Sequence, residues 1–310
     1  MTQYIVRRLL QMIPITLGIL TLVFSLIHLI PGDPAVQIAG ENARPEDVEQ
    51  VRKALGLDQP LWTQYVHYLA HLAHGDLGTS YRTGDKVASA IRERYPATIQ
   101  LALGSMFVAL LVAFPLGMIS AIYRNSWIDN VARFFALIGV SMPSFWLGPL
   151  LIIAFALNHH WFPVSGREQG LRSLVLPSLT MGLALAAILT RMIRVSVAEE
   201  LGQLYVTTAM AKGVTRIRAI FRHALKNALI PVITILALQF GSLLTGAIIT
   251  EQIFSWPGLG RLLIQSIQTR DYPQVQACIL VIALTYIVVN FISDLLYGVV
   301  DPRIKLGSAE

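Results

Sequence analysis

His67, His71 and His74 recur at i, i+4 and i+7, so on a helix they share one face. Two imidazoles at that spacing can reach one metal ion. The competing reading is a solvated helix face, and no acidic or cysteine ligand is spaced nearby to complete a site. No metal is assigned. His159 and His160 are adjacent and point different ways. Cys278, the one cysteine, lies in an apolar run, so an intrachain disulfide or thiolate cluster is excluded. The chain has no G-x-x-x-x-G-K-[ST] phosphate loop, no H-E-x-x-H pair and no G-x-S-x-G elbow. It is therefore expected to carry no catalytic residues and no cofactor of its own.

Other polar residues sit inside apolar runs. Tyr286, Asn290 and Asp294 fall at i, i+4 and i+8 on one helical face. An ionised Asp at a membrane centre costs about 2.5–3.5 kcal/mol on insertion scales, which favours an interior or water-lined position. Asn290 and Asp294 are read either as interhelical hydrogen bonders or as part of a path or gate. Gln239, Ser242 and Gly246 form a second polar and small stripe, read as close helix packing or as path lining. In "GVSMPSFWLG", Pro143 frees a backbone carbonyl that Ser141 or Ser144 could satisfy, giving a kink or a movable hinge.

The elements that must position these residues are membrane helices. Of 310 residues 55% are hydrophobic and 14% charged, against about 25% charged in soluble domains. Six runs approach the roughly 20 apolar residues a spanning helix needs: Leu9–Ile30, Ile99–Ile122, Phe134–Leu157, Leu174–Ile193, Leu229–Ile249 and Ala277–Val300. The fourth is the weakest, with Pro177 inside and Arg191 at its end. The first follows Arg7 and Arg8 and lacks a small-residue cleavage site, so it reads as an uncleaved anchor. Basic residues favour one side: Arg124, Arg133, Arg191, Arg194, Arg303 and Lys305 join a cluster at Lys212, Arg216, Arg218, Arg222 and Lys226. This positive-inside bias puts both termini in the cytoplasm. The expected architecture is an all-α polytopic membrane protein of six transmembrane helices. Residues 1–30 form an anchor, 31–98 an extracytoplasmic helical loop region, 99–300 a five-helix core, and 301–310 a cytoplasmic tail.

Two loop segments look folded. Pro45 suits a helix start and Gly56 a stop, and a second helix runs from Leu61 to His74 with Trp62, Tyr65, Leu69 and Leu72 as its apolar stripe. On the cytoplasmic side, within 194–227, "EELGQLYVTTAMAK" can form a helix that stops at Gly213. Thr215 can cap a second helix, with Pro231 opening the fifth span. The basic cluster fits anionic lipid, and DNA binding is set aside because the apolar stripe of that helix is already committed. The middle of the first helix, "TTAMAKG", is small and weakly charged, which suits a groove on a partner protein.

These residues resemble a known pattern. Ala209, Lys212 and Gly213 with "HALKNALIP" look like the cytoplasmic coupling loop of ATP-binding-cassette importer permeases. Over nearly its whole length the chain is similar to the dipeptide/oligopeptide/nickel permeases. Further matches are "IPGDP" (30–34), "LGLDQPL" (55–61), "HGDLGTS" (74–80), "EQIFSWPGLGRLL" (251–263), "RDYPQVQ" (270–276) and "DLLYGVVDPRI" (294–304). The resemblance implies a multi-pass inner-membrane subunit with a homologous permease partner, two ATP-binding subunits that carry ATP and Mg, and an extracytoplasmic solute-binding protein. It places Tyr205, Thr208, Ala209, Ala211, Lys212 and Gly213 against an ATP-binding subunit. Within the matched motifs, Asp33, Glu251, Trp256, Arg261 and Asp271 are assigned to binding-protein docking or an outer gate. Leu204 departs from the acidic residue usual there, and Thr207 and Met210 from arginines.

The leading expectation is the permease subunit of an ATP-driven importer of di- or oligopeptides. Nickel, a nickel chelate or a glutathione-like peptide is the alternative cargo. A stand-alone channel or secondary transporter, or a membrane enzyme, would be a different class.

Overall fold

The computed structural model describes residues 2–29, 34–39, 43–54 and 56–300. Asp33 and the tail 301–310 lie outside the described residues. The chain is nearly all helical, and among the described residues one antiparallel bridge, Thr79 to Lys86, is the only extended pairing. In order come α1 (Thr2–Leu29), α2 (Pro34–Ala39), α3 (Pro45–Ala54), α4 (Leu61–Ala73), α5 (Val87–Ile122) and α6 (Trp127–Ser141). Helix α7 (Ser144–Leu151) runs on as a π-helical stretch, Ile152–Asn158, before α8 (Leu171–Leu201) and α9 (Leu204–Ala211). Helix α10 (Arg216–Ala219) continues through π-helical Ile220–Ala224 into α11 (Leu225–Ile253), followed by α12 (Leu259–Gln268) and α13 (Tyr272–Val300).

Among the described residues, five helices are long and apolar enough to cross a membrane: Ile5–Ser25, α5, α8, Arg216–Ile253 and Tyr272–Leu295. The sixth candidate differs from the kinked helix expected over 134–157. Trp127–Gly139 and Ser144–Asn158 are bent by 101°. Proline has no N–H for the preceding turn and pushes its predecessor out of the helical region. Met142 is accordingly extended (φ −85°, ψ 117°), and Pro143 sits at the N-cap of α7. Neither Ser141 nor Ser144 makes a side-chain hydrogen bond to a freed carbonyl among the described residues.

Three other boundaries depart from expectation. Pro231 lies inside α11 rather than opening it, with Ala228 and Val232 buried on either side of it. The segment expected as one helix up to Gly213 breaks at Gly202–Gln203, separating α8 from α9. Thr215 holds the N-cap position of α10 without a side-chain cap bond.

Two compact units divide the chain, one from 1–96 and 258–287, the other from 97–257 and 288–310. In the first, α4 grips α1: Phe24 packs on Tyr65 and Tyr68 with ring centroids 5.2 and 5.7 Å apart, and the hydroxyls of Thr21 and Tyr65 are 2.8 Å apart. Tyr65, Tyr68, Leu69 and Leu72 are the half-buried face of α4, whereas Trp62 is 73% exposed. Gln276 of α13 donates to the Val23 carbonyl at 3.0 Å.

In the second unit α8 is central. It is the most enclosed of the candidate spans, with Ser173, Ser178, Thr180, Thr190 and Ser196 all buried. Protein surrounds it in place of lipid, which is where polar residues of a membrane helix belong. Close approach is made possible by glycine. A Cβ on Gly182 would meet the Ser105 carbonyl at 2.7 Å, and one on Gly117 would meet the Ile193 Cβ at 2.7 Å.

Candidate functional site

Helix α9 follows the break at Gly202 and begins after Gln203, whose backbone is extended. Its one fully buried side chain is Val206, which packs against Ala219 and Ala224 beside Leu201 and Val214. Alanine at both contact positions lets the helix lie close to the π-helical stretch before α11. Tyr205, Thr208, Ala211 and Lys212 are exposed and Ala209 is half-buried, while Leu204 is 84% exposed. A helix whose one buried side chain is Val206, with Leu204, Thr208, Ala211 and Lys212 exposed, has surface to offer a partner.

Gly213 ends α9 in the left-handed region, at φ +88°. Its N–H bonds the Met210 carbonyl at 2.9 Å and the Val214 N–H reaches the Ala209 carbonyl at 3.2 Å, the paired bonds of a Schellman terminus. Tyr205 ties α9 to both neighbours. Its hydroxyl donates to Glu200 near the end of α8 and accepts from the Asn227 amide of α11 at 3.1 Å. Burial, and next the Glu200 hydrogen bond, raise the phenol above its ordinary pKa.

The polar residues expected along a path are dispersed. Gln239, Asn290 and Asp294 are half-buried and Ser242 is exposed. Gly246 is also exposed, with only Met181 Cε, 3.9 Å from a Cβ built there, nearby. It is therefore not a packing glycine within this chain, and the close contacts fall on Gly104, Gly117, Gly139 and Gly182 instead. A cavity of about 350 Å³ between α5, α11 and α13 is lined by Met106, Phe240, Val289 and other apolar groups with Ser293, and by none of the expected path residues.

Of the residues assigned to docking or an outer gate, three are interior. Glu251 is fully buried and accepts from the Thr98 hydroxyl at 2.6 Å. Trp256 is fully buried, donates from Nε1 to the Ala97 carbonyl at 2.8 Å, and lies 5.8 Å beneath the Arg167 guanidinium. Asp271 is buried and bound by Ser80 and by the Tyr81 N–H at 3.1 Å. None of these three presents a surface to a docking protein in this conformation. Arg261 is half-buried.

The histidines of α4 do not converge. His71 Nδ1 lies 3.1 Å from Asp76 Oδ2, and among the described residues no three His, Cys, Asp or Glu side chains could hold a metal ion. One buried charged residue lies outside the sites that the sequence marks. Asp129, fully buried, is bound by Arg194. Its signal was present in "SWID", a serine three positions before an acid ahead of an apolar run.

The helical architecture has counterparts among solved transporters. The chain matches an inward-facing MetNI methionine ABC transporter with a TM-score of 0.60 at 15% identity, covering 68% of this chain and 96% of that one. It matches an amino acid ABC transporter with a TM-score of 0.51 at 18% identity, covering 70% and 95%. The fold is that of an ABC transporter permease. Residues 113–306 match the family described as binding-protein-dependent transport system inner membrane component, and residues 1–102 match its N-terminal counterpart. The chain is 43% identical over 305 residues to the glutathione transport system permease protein GsiC of Escherichia coli O6:H1, covering 98% of this chain and 99% of that protein. It is likewise 43% identical, over 336 aligned positions, to the dipeptide transport system permease protein DppB of Escherichia coli K12, with the same coverage. The chain belongs to this family: it is an inner-membrane permease subunit of a binding-protein-dependent ABC importer. Membership implies ATP-binding subunits and a substrate-binding protein as partners.

Proposed function

We propose that this subunit passes short peptides across the inner membrane, paired with a second homologous permease and driven by two ATP-binding subunits that hold ATP and Mg. Both termini are cytoplasmic, the region after α1 faces outward, and α9 is the coupling helix. The observation that carries the coupling reading is α9 itself, seated by Val206 and mostly exposed, with Gly213 closing it in a left-handed turn. ATP binding would draw the ATP-binding subunits together, move α9, and through Tyr205 shift the ends of α8 and α11. Gln239, Ser242, Asn290 and Asp294 are the side chains proposed to face the path, with the break at Ser141, Pro143 and Ser144 as its hinge. Support for peptide cargo comes from relatives named for dipeptide and glutathione transport at 43% identity over 98% of the chain.

Gly213→Val tests the coupling. A Cβ at that position meets nothing within 4 Å, so the change chiefly strains the turn. A non-glycine residue in the left-handed region costs about 1–2 kcal/mol. The complex is expected to assemble and to hydrolyse ATP at its basal rate, with peptide uptake and binding-protein stimulation lost. Wild-type stimulated uptake would remove α9 from the coupling role. Cargo is tested separately, by identifying the ligand that the co-expressed binding protein retains.

A further inference from the structure

Asp129 is fully buried in the first turn of α6, and its carboxylate collects donors from four parts of the second unit. Arg194 of α8 grips it with a fork, Nε to Oδ1 at 2.6 Å and Nη2 to Oδ2 at 2.7 Å. The Ser120 hydroxyl of α5 donates to Oδ1 at 2.5 Å, and the Asn125 N–H of the elbow between α5 and α6 donates to Oδ2 at 2.9 Å. Arg133, one turn along α6, stands 3.5 Å from Oδ1. Asn125 itself is left-handed, at φ +63°, so the elbow closes tightly around the acid. A two-pronged guanidinium–carboxylate contact fixes orientation as well as distance.

A second arginine holds the same elbow. Arg216 Nη2 donates to the Ile122 carbonyl, the last residue of α5, at 3.3 Å. That carbonyl lacks its helical donor, because the Ser126 N–H turns back to Tyr123. Arg194 precedes α9 in the chain and Arg216 follows it, so the segment that carries α9 grasps the elbow from both ends.

We propose that Asp129 is a positioning residue of the transport cycle: the elbow of residues 122–129 and α9 move as one body, and α6 receives the displacement directly. This rests on the reading of α9 as the contact for the ATP-binding subunit. Packed side chains and hydrogen-bonded networks with discrete arrangements carry such coupling. A merely structural ion pair would hold α6 to α8 without tying the elbow to α9 through the cycle.

Pulsed EPR distances in the complete reconstituted importer decide between these. With Cys278 replaced by alanine, nitroxides are placed in pairs drawn from Arg124→Cys on the elbow, Met210→Cys on α9 and Glu168→Cys on the loop before α8. The Arg124–Met210 distance is expected to be identical in nucleotide-free and ATP-trapped states, while both sites shift against Glu168. A nucleotide-dependent Arg124–Met210 distance, or no shift of either against Glu168, overturns the proposal. In Asp129→Asn the Arg124–Met210 distribution is expected to broaden and peptide uptake to fall several-fold with basal ATPase retained. If that variant does not assemble, the wild-type distances stand as the test. Cross-linking of Met210→Cys to the ATP-binding subunit separates the two ideas. No cross-link sinks the coupling reading of α9, whereas a cross-link with a changing Arg124–Met210 distance sinks only the rigid elbow.

Discussion

The Ser80 hydroxyl donates to the buried Asp271 carboxylate across 191 positions of sequence. The second oxygen of Asp271 takes the Tyr81 N–H at 3.1 Å. The Ser80 oxygen accepts in turn from the Arg82 and Thr83 N–H groups at 3.3 and 3.1 Å, so a loop of the first unit is folded around one acid. Burial, and secondarily the Asp271 charge, push the Tyr81 phenol above its ordinary pKa. "HGDLGTS" and "RDYPQVQ", two motifs distant in sequence, are thus halves of one contact.

Ser80→Ala leaves that carboxylate with a single donor. An unsatisfied buried acceptor costs about 1–3 kcal/mol, more when charged. Amide exchange over residues 78–86 is expected to accelerate markedly, with the second unit unaffected. Unchanged protection would show that Asp271 does not organise this loop.

Gly182 sets how closely α5 and α8 approach. Its missing Cβ would stand 2.7 Å from the Ser105 carbonyl oxygen and 2.9 Å from Val108 Cγ1, and neither a backbone oxygen nor a β-branched carbon can swing aside. Gly182→Ala is expected to cost about 1–3 kcal/mol, the usual range for overpacking. Gly246→Ala is its control, since only Met181 Cε comes within 4 Å there. The thermal midpoint of the purified importer should drop for the first and hold for the second.

The spans, the loop helices and the stop at Gly213 were legible because each has a local cause: an apolar run of sufficient length, a proline at a helix start, a glycine where φ turns positive. Position within the core was not. Pro143 and Pro231 look alike in sequence, yet Pro143 stands at the N-cap of α7 and Pro231 sits inside α11. Gly246 and Gly182 look alike too, and only tertiary contact tells the packed one from the exposed one. Glu251, Trp256 and Asp271 lay in motifs that resemblance marked as important, but a motif does not say whether its side chains face a partner or the interior. Arg194 reads in sequence as a topology signal, and its partner Asp129, 65 positions earlier, pairs with it only in three dimensions.

The histidine row of α4 gives a last prediction, with a pH arm. Asp76 accepts from the Gly78 N–H at 2.9 Å and meets His71 at 3.1 Å. The Gly78 bond first, and the His71 hydrogen bond next, hold its carboxyl below the usual carboxylate range. A depressed pKa means that the contact is fully present above the unfolded carboxylate value and is lost as pH falls through the lower folded one. Protection of the Gly78 amide, corrected for its intrinsic exchange rate, should therefore persist through neutral pH and fade on acidification. Asp76→Asn should abolish that dependence. Because His71 is turned toward Asp76 and no group of three metal-ligating side chains forms among the described residues, replacing His67, His71 and His74 together by alanine is expected to leave nickel uptake unchanged. A loss of nickel uptake in the triple variant, with peptide uptake intact, would instead make this helix a metal-handling surface.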